Sequence, residues 1–146
     1  ENKITSLING SVRCANNSSL SNLTIRNPDL YKPNICVDST DVSPKVYETI
    51  IDGNGNPLGL GILLAGEGSN NADIRNNEIE NNHIGVQYNS SNADLVNNRI
   101  KNSEYGVWYF NSSLNKSEKM RRMAKMISEN KFENIISRPI VNLNND

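Results

Sequence analysis

Apolar and polar residues alternate along this chain over very short stretches, as in Ile84, Val86, Tyr88 and again in Tyr105, Val107, Tyr109. A period of two is the signature of a strand with one buried face. Each stretch lasts only a few residues before an Asn or Gly bend interrupts it. The frame then recurs. Asp73-Ile74-Arg75-Asn76-Asn77-Glu78-Ile79-Glu80-Asn81 is followed 21 residues later by Asp94-Leu95-Val96-Asn97-Asn98-Arg99-Ile100-Lys101-Asn102. A third copy spans Ile127 to Asn134, and Leu20–Asn27 and Val46–Gly53 keep the same frame upstream; Gly61-Ile62-Leu63-Leu64 matches Gly85-Val86-Gln87-Tyr88. A helical repeat would need an apolar face sustained over many more residues.

Strands this short, repeating at this period, predict a solenoid of coils. Each coil has three short strands joined by bends, and successive coils stack in parallel with apolar ladders inside. Composition then makes sense. Asn numbers 27 and Ser 16, against 36% hydrophobic residues. Such a polar chain folds only if its Asn residues recur for a structural reason. Asn at a fixed bend can bond the equivalent Asn of the next coil. Asn77, Asn98 and Asn130 are expected to form that ladder, and Leu23 and Thr49, which occupy the frame upstream, are expected to break it. Formal net charge is −1, which offers no electrostatic case for nucleic acid or an anionic membrane, and no apolar run is long enough to span a bilayer. The length predicts a single domain over residues 1–146. Glu1-Asn2-Lys3 does not resemble a signal peptide, so any targeting segment is expected to be already removed.

The Asn-Asn-x-Ile-x-Asn-x-x-x-Gly-Ile/Val coil resembles the right-handed parallel β-helix proteins, which include pectate lyases, alginate lyases and epimerases, and phage tailspikes. The resemblance covers residues 70–143 well and 4–66 loosely. It implies an all-β, single-stranded right-handed parallel β-helix of about six coils. That is fewer than catalytic members usually have. Lyases of this fold use an Arg or Lys base beside acidic calcium ligands, and hydrolases use paired carboxylates. Arg99-Ile100-Lys101 resembles a polygalacturonase substrate triplet, yet the paired Asp and Gly-His-Gly segments of those enzymes are absent. Residues Asn2–Leu7 carry no convincing capping helix and the chain ends in Asn144-Asn145-Asp146, which predicts an excised section of a longer solenoid or ends that meet other subunits.

The spacing breaks after Ser113. Met120, Met123, Ala124 and Ile127 stand at helical intervals, which predicts an inserted amphipathic helix over residues 116–127, capped by Asn115 or Ser117. Its Met face is expected to lie on outward-pointing Trp108 and Phe110, with Lys119, Arg121, Arg122 and Lys125 mostly on the other side. Outward Trp108, with Gln87 and Tyr47 as companions, is the candidate carbohydrate surface. Asp73 and Asp94 occupy one repeat position and should stack, so they are the candidate acid–base pair; turn-capping is the plainer reading. Asp52, Asn54 and Asn56 alternate oxygen side chains as calcium loops do, against an ordinary turn, and Asp38-Ser39-Thr40-Asp41 reads as loop. No cofactor is expected, and a lone His83 argues against zinc. Cys14 and Cys36 lie about one coil apart, which leaves a disulfide and two buried thiols both open. Asn17, Asn22, Asn89, Asn111 and Asn115 sit in glycosylation sequons. The expected function is a non-catalytic extracellular or surface module that is rigid, adhesive and carbohydrate-binding. The alternatives are a polysaccharide lyase, epimerase or glycosidase, and a self-associating fibre or tailspike subunit.

Overall fold

One column of side chains runs the length of the molecule: Ile8, Ile25, Ile51, Ile79, Ile100 and Phe132, each in register with the next. The four central isoleucines are completely buried. The column belongs to sheet A of a computed structural model that describes residues 6–38, 43–66, 71–91 and 93–143. Sheet A stacks Ser6–Asn9, Leu23–Arg26, Ile50–Asp52, Glu78–Glu80, Arg99–Lys101 and Lys131–Glu133 in parallel. Sheet B stacks Val12–Arg13, Ile35–Val37, Leu60–Ala65, Ile84–Asn89, Tyr105–Phe110 and Arg138–Asn142. Sheet C stacks Ser19–Ser21, Lys45–Tyr47, Asp73–Arg75 and Asp94–Val96. The chain visits A, B and C in turn, so each coil is a triangle of three short strands.

Sheet B supplies the pairs Ile35 and Val37, Ile62 and Leu64, Val86 and Tyr88, Val107 and Tyr109, and sheet C adds Val46, Ile74 and Leu95. Burying each such side chain is worth about 1.5–3 kcal/mol. Tyr88 and Tyr109 stack with ring centroids 5.6 Å apart, and the Tyr88 hydroxyl donates to Ala93 O at 3.2 Å. Between these columns Gly61, Gly85 and Gly106 occupy successive coils at a point too narrow for a side chain: a Cβ on Gly85 would stand 2.7 Å from Gly106 O and 2.8 Å from Ile100 Cγ2.

The paired Asn residues divide the work of the bend between sheets C and A. The first of each pair, Asn76 or Asn97, turns the chain through the left-handed region at φ 56° and 54°. Among the described residues, eight of the ten non-glycine residues with positive φ are Asn, because a short polar side chain tolerates that conformation. The second of each pair faces inward and builds the ladder. Asn77 Nδ2 donates to Asn98 Oδ1 at 3.0 Å, and Asn98 Nδ2 to Asn130 Oδ1 at 3.0 Å. The backbone N–H groups of Asn77 and Asn98 donate to the same oxygens, at 3.0 and 2.9 Å. Each amide also reaches back to a sheet C carbonyl: Asn77 to Val46, Asn98 to Ile74 and Asn130 to Leu95. At Thr49 the ladder stops as expected. Its N–H still donates to Asn77 Oδ1, while its hydroxyl turns to Tyr47 O.

The regular offset of 21 between Asn77 and Asn98 becomes 32 between Asn98 and Asn130. The helix Lys116–Glu129 accounts for the excess, and it corrects the sequence reading in three ways. It is longer than residues 116–127, since Ile127-Ser128-Glu129 is helical where the repeat implied a strand. It also stands in place of the sheet C strand. Four coils therefore carry all three strands, the next is closed by the helix, and a final A–B pair follows, against the expected six or so. The third correction concerns the buried face. Met126 and Lys119 are buried and Met123 packs on the core, while Met120 and Ile127 are 59% and 55% exposed. The helix meets Asp94–Val96, Lys131–Glu133 and Arg138–Asn142 rather than lying across Trp108 and Phe110. Its orientation follows from its end. Asn130 is both the C-cap and the last ladder member, and its Nδ2 donates to Met126 O, which places the Met126 side of the helix inward. At the other end Asn115 and Glu118 form a capping box.

Asn98→Leu is expected to lower unfolding free energy by about 3–5 kcal/mol, because it strands partners above and below in a dry interior. At the adjacent position, Asn97→Gly should change stability by less than about 0.5 kcal/mol, while Asn97→Val should cost about 1–2 kcal/mol. Urea denaturation of the three variants measures the contrast.

Candidate functional site

Three walls face solvent, and their chemistry differs. On sheet A the outward residues form a lattice of ion pairs. Lys101 contacts Glu78 and, at 3.0 Å, Glu80; Arg99 reaches Glu133 at 2.6 Å, and Lys131 contacts the same carboxylate. Arg99 and Lys101 are thereby committed to neighbouring carboxylates, so the Arg99-Ile100-Lys101 triplet is part of this lattice.

Sheet B presents Cys36, Leu63, Gln87, Trp108 and Val141 in one row. Gln87 and Trp108 are thus neighbours, as anticipated. Tyr47 is on sheet C, so the three candidate sugar contacts do not share a wall. The Trp108 ring is held edge-on by Tyr105 and His83, at centroid distances of 5.3 and 6.2 Å, and its Nε1 is buried with no hydrogen-bond partner among the described residues. His83 Nδ1 lies 2.8 Å from Glu104 Oε2. Sequence reading missed this pair, although the 21-residue period would have found it by placing Glu104 directly after His83 in the stack.

Sheet C carries the most varied chemistry. Its outward face has two rows, Ser19–Lys45–Asp73–Asp94 and Ser21–Tyr47–Arg75–Val96. A groove of about 760 Å³ opens over them, lined by Ser19, Lys45, Tyr47, Asp73 and Arg75 with Asn17, Ser18 and Ser43 at its margin. Hydrogen bonds to Ser21 and Ser19, one coil below, lower the Tyr47 phenol from its ordinary pKa. Asp73 and Asp94 do stack in register, and each carries its own cation. Arg75 grips Asp73 through two nitrogens at 2.7 and 2.6 Å, and Lys125 stands 3.6 Å from Asp94. The charge-assisted bonds to Asp73 raise the Arg75 pKa further.

Asp52 is buried and accepts from Arg26 Nε and Nη2 at 2.9 and 2.7 Å, Asn54 N at 2.8 Å and Asn81 Nδ2 at 3.0 Å. Asn56 Oδ1 accepts from Leu58 N at 3.0 Å. Asp52 and Asn56 therefore turn their side chains on their own loop and its neighbours, as an Asx turn does. Cys14 and Cys36 are free thiols. Arg13 pairs with Cys36 across the sheet, so the two cysteines are one residue out of register: Cys14 joins the core and Cys36 stands in the outward row, and both are buried. Burial pushes the Cys14 thiol up to about 11. Among the sequons, Asn111 is fully buried and Asn115 caps the helix. Of Asp38-Ser39-Thr40-Asp41, Asp38 pairs with Arg13 at 2.7 Å and the other three lie outside the described residues, as do Asn2 to Thr5 and the terminal Asn144-Asn145-Asp146.

Asp52 makes this reading testable by pH. Burial disfavours its ionised form, but the bonds from Asn81, Asn54 and Arg26 outweigh burial and hold the carboxyl below its ordinary 3.8. A depressed folded-state pKa contributes stability that is complete above the ordinary value and lost as pH falls through the folded one. Asp52→Asn is therefore expected to cost about 1–3 kcal/mol at pH 7, with the difference from wild type shrinking once the pH drops below that of a free Asp. Thermal or urea unfolding at stepped pH checks the slope.

No helix in the described residues is long and apolar enough to cross a membrane. No curated protein and no solved structure matches the chain. The sequence pattern of a family described as "Right handed beta helix region" matches residues 1–119, which takes in every complete three-strand coil. With parallel strands, in-register ladders and that match together, the chain belongs to the right-handed β-helix family.

Proposed function

We propose that this chain is a non-catalytic β-helix module of a surface or extracellular protein and that it binds carbohydrate in the groove over sheet C. The fold itself is silent on the matter, since one scaffold carries many chemistries. The observation that supports the reading is Tyr47. It stands between Ser21 and Arg75 in its row, with Ser19, Lys45 and Asp73 in the adjoining row. An aromatic surface beside hydroxyl, ammonium, guanidinium and carboxylate groups offers both apolar contact for a sugar ring and partners for its hydroxyls. Short parallel strands hold these groups at a fixed spacing of about 4.8 Å along the axis, which suits a linear polymer. A non-catalytic role is supported by the bidentate Arg75–Asp73 pair and by Lys125 at Asp94, which commit both carboxylates to cations.

Titration calorimetry against a panel of oligosaccharides tests the proposal. Tyr47→Ala is expected to raise Kd at least about tenfold. Gln87→Ala on sheet B should leave it unchanged. Loss of binding in the sheet B variant alone would move the site to the Trp108 wall. Cleavage of a uronate polymer by the wild type, abolished in Asp73→Asn or Asp94→Asn, would replace the reading with a lyase or hydrolase.

A further inference from the structure

Beyond Asp94 the groove meets the helix Lys116–Glu129, which takes the place of the next sheet C strand. Here Arg121, Arg122 and Lys125 line a cavity of about 140 Å³ together with Asp94, Leu95 and Glu129. Lys125 is 3.6 Å from Asp94 and 3.8 Å from Glu129, so the acidic groups of the cavity already have a cation. Arg121 and Arg122 pair with no carboxylate among the described residues. Arg122 is half-buried and lines the cavity beside Leu95 and Met126. A guanidinium presents a planar fork of donors that matches the oxygens of a carboxylate or sulfate in pairs. Against ~30 Å³ for a water molecule, the cavity has room for one such group.

We propose that Arg121 and Arg122 form an oxyanion subsite at the helix end of the sheet C groove. It takes a sulfate or carboxylate group carried by the bound glycan. This rests on the glycan reading of the groove and narrows it to acidic polymers. Asp94 and Asp73 are register partners, so the subsite is one rung from the Tyr47 groove, close enough for one oligosaccharide to occupy both. With Lys125 the three cations of the cavity outnumber Asp94 and Glu129, so the lining keeps an excess of positive charge and admits an anion.

The test compares three hexasaccharides of one backbone, sulfated, carboxylated and neutral, by titration calorimetry on the full chain. The charged forms are expected to bind about 10- to 100-fold more tightly than the neutral one, and whichever charged form binds better identifies the source of the oxyanion. In the double variant Arg121→Gln/Arg122→Gln that advantage should vanish while neutral binding stays. An unchanged thermal midpoint shows that the variant is folded. Equal affinity for charged and neutral forms in the wild type overturns the subsite and leaves the glycan reading standing. If no hexasaccharide binds, but sodium sulfate shifts the arginine Nε–H resonances in wild type and not in the double variant, the glycan reading falls and the subsite survives. Silence in both measurements overturns both.

Discussion

A buried amide must find a partner for every donor and acceptor it brings out of water, and the coils from Asn77 to Asn130 are organised around meeting that demand. The Oδ1 atoms of Asn98 and Asn130 each accept two hydrogen bonds from the coil below, and each Nδ2 gives one to its ladder neighbour or the helix and one to a sheet C carbonyl. Leaving any one of these unmade in the interior costs about 1–3 kcal/mol. Register is fixed in consequence. A strand pair held only by apolar contacts could slip by two residues and still bury the same face; a coil tied through Asn77 and Asn98 cannot.

The ladder also sets what the chain can do between coils. Between Asn98 and Asn130 the excursion returns an Asn to the same corner. The helix is that excursion, and its capping, its orientation and its buried Met126 all follow from delivering Asn130 to that corner. Rigid strands then carry Tyr47, Asp73 and Arg75 into one groove, and the helix brings guanidinium groups to its end.

Much of this is legible in the sequence, for identifiable reasons. The ladder residues, its break at Thr49, the stacking of Asp73 on Asp94 and the inward rows of sheets A and B all follow from the period, because in-register stacking turns sequence offset directly into contact. Wherever the period fails, sequence reading fails with it. The helix face was misjudged because periodicity reports only that an apolar stripe exists, whereas Asn130 decides which stripe is buried. Tyr47 was assigned to the wrong wall because the bends that send a strand to sheet B or C are short and polar in both cases. Arg75 was overlooked as the partner of Asp73, although residues two apart on a strand share a face.

The lattice on sheet A has one more consequence. Charges that are spent on each other at such short range leave almost no field a few ångströms away, and salt screens what remains within about 10 Å. Viewed from solution, that wall is nearly silent. Sheet C, where serine hydroxyls, the Tyr47 phenol and the Lys45 ammonium line a groove, addresses the solvent instead. The rod therefore carries a wall of mutually paired charges on sheet A and a grooved wall of mixed polar groups on sheet C.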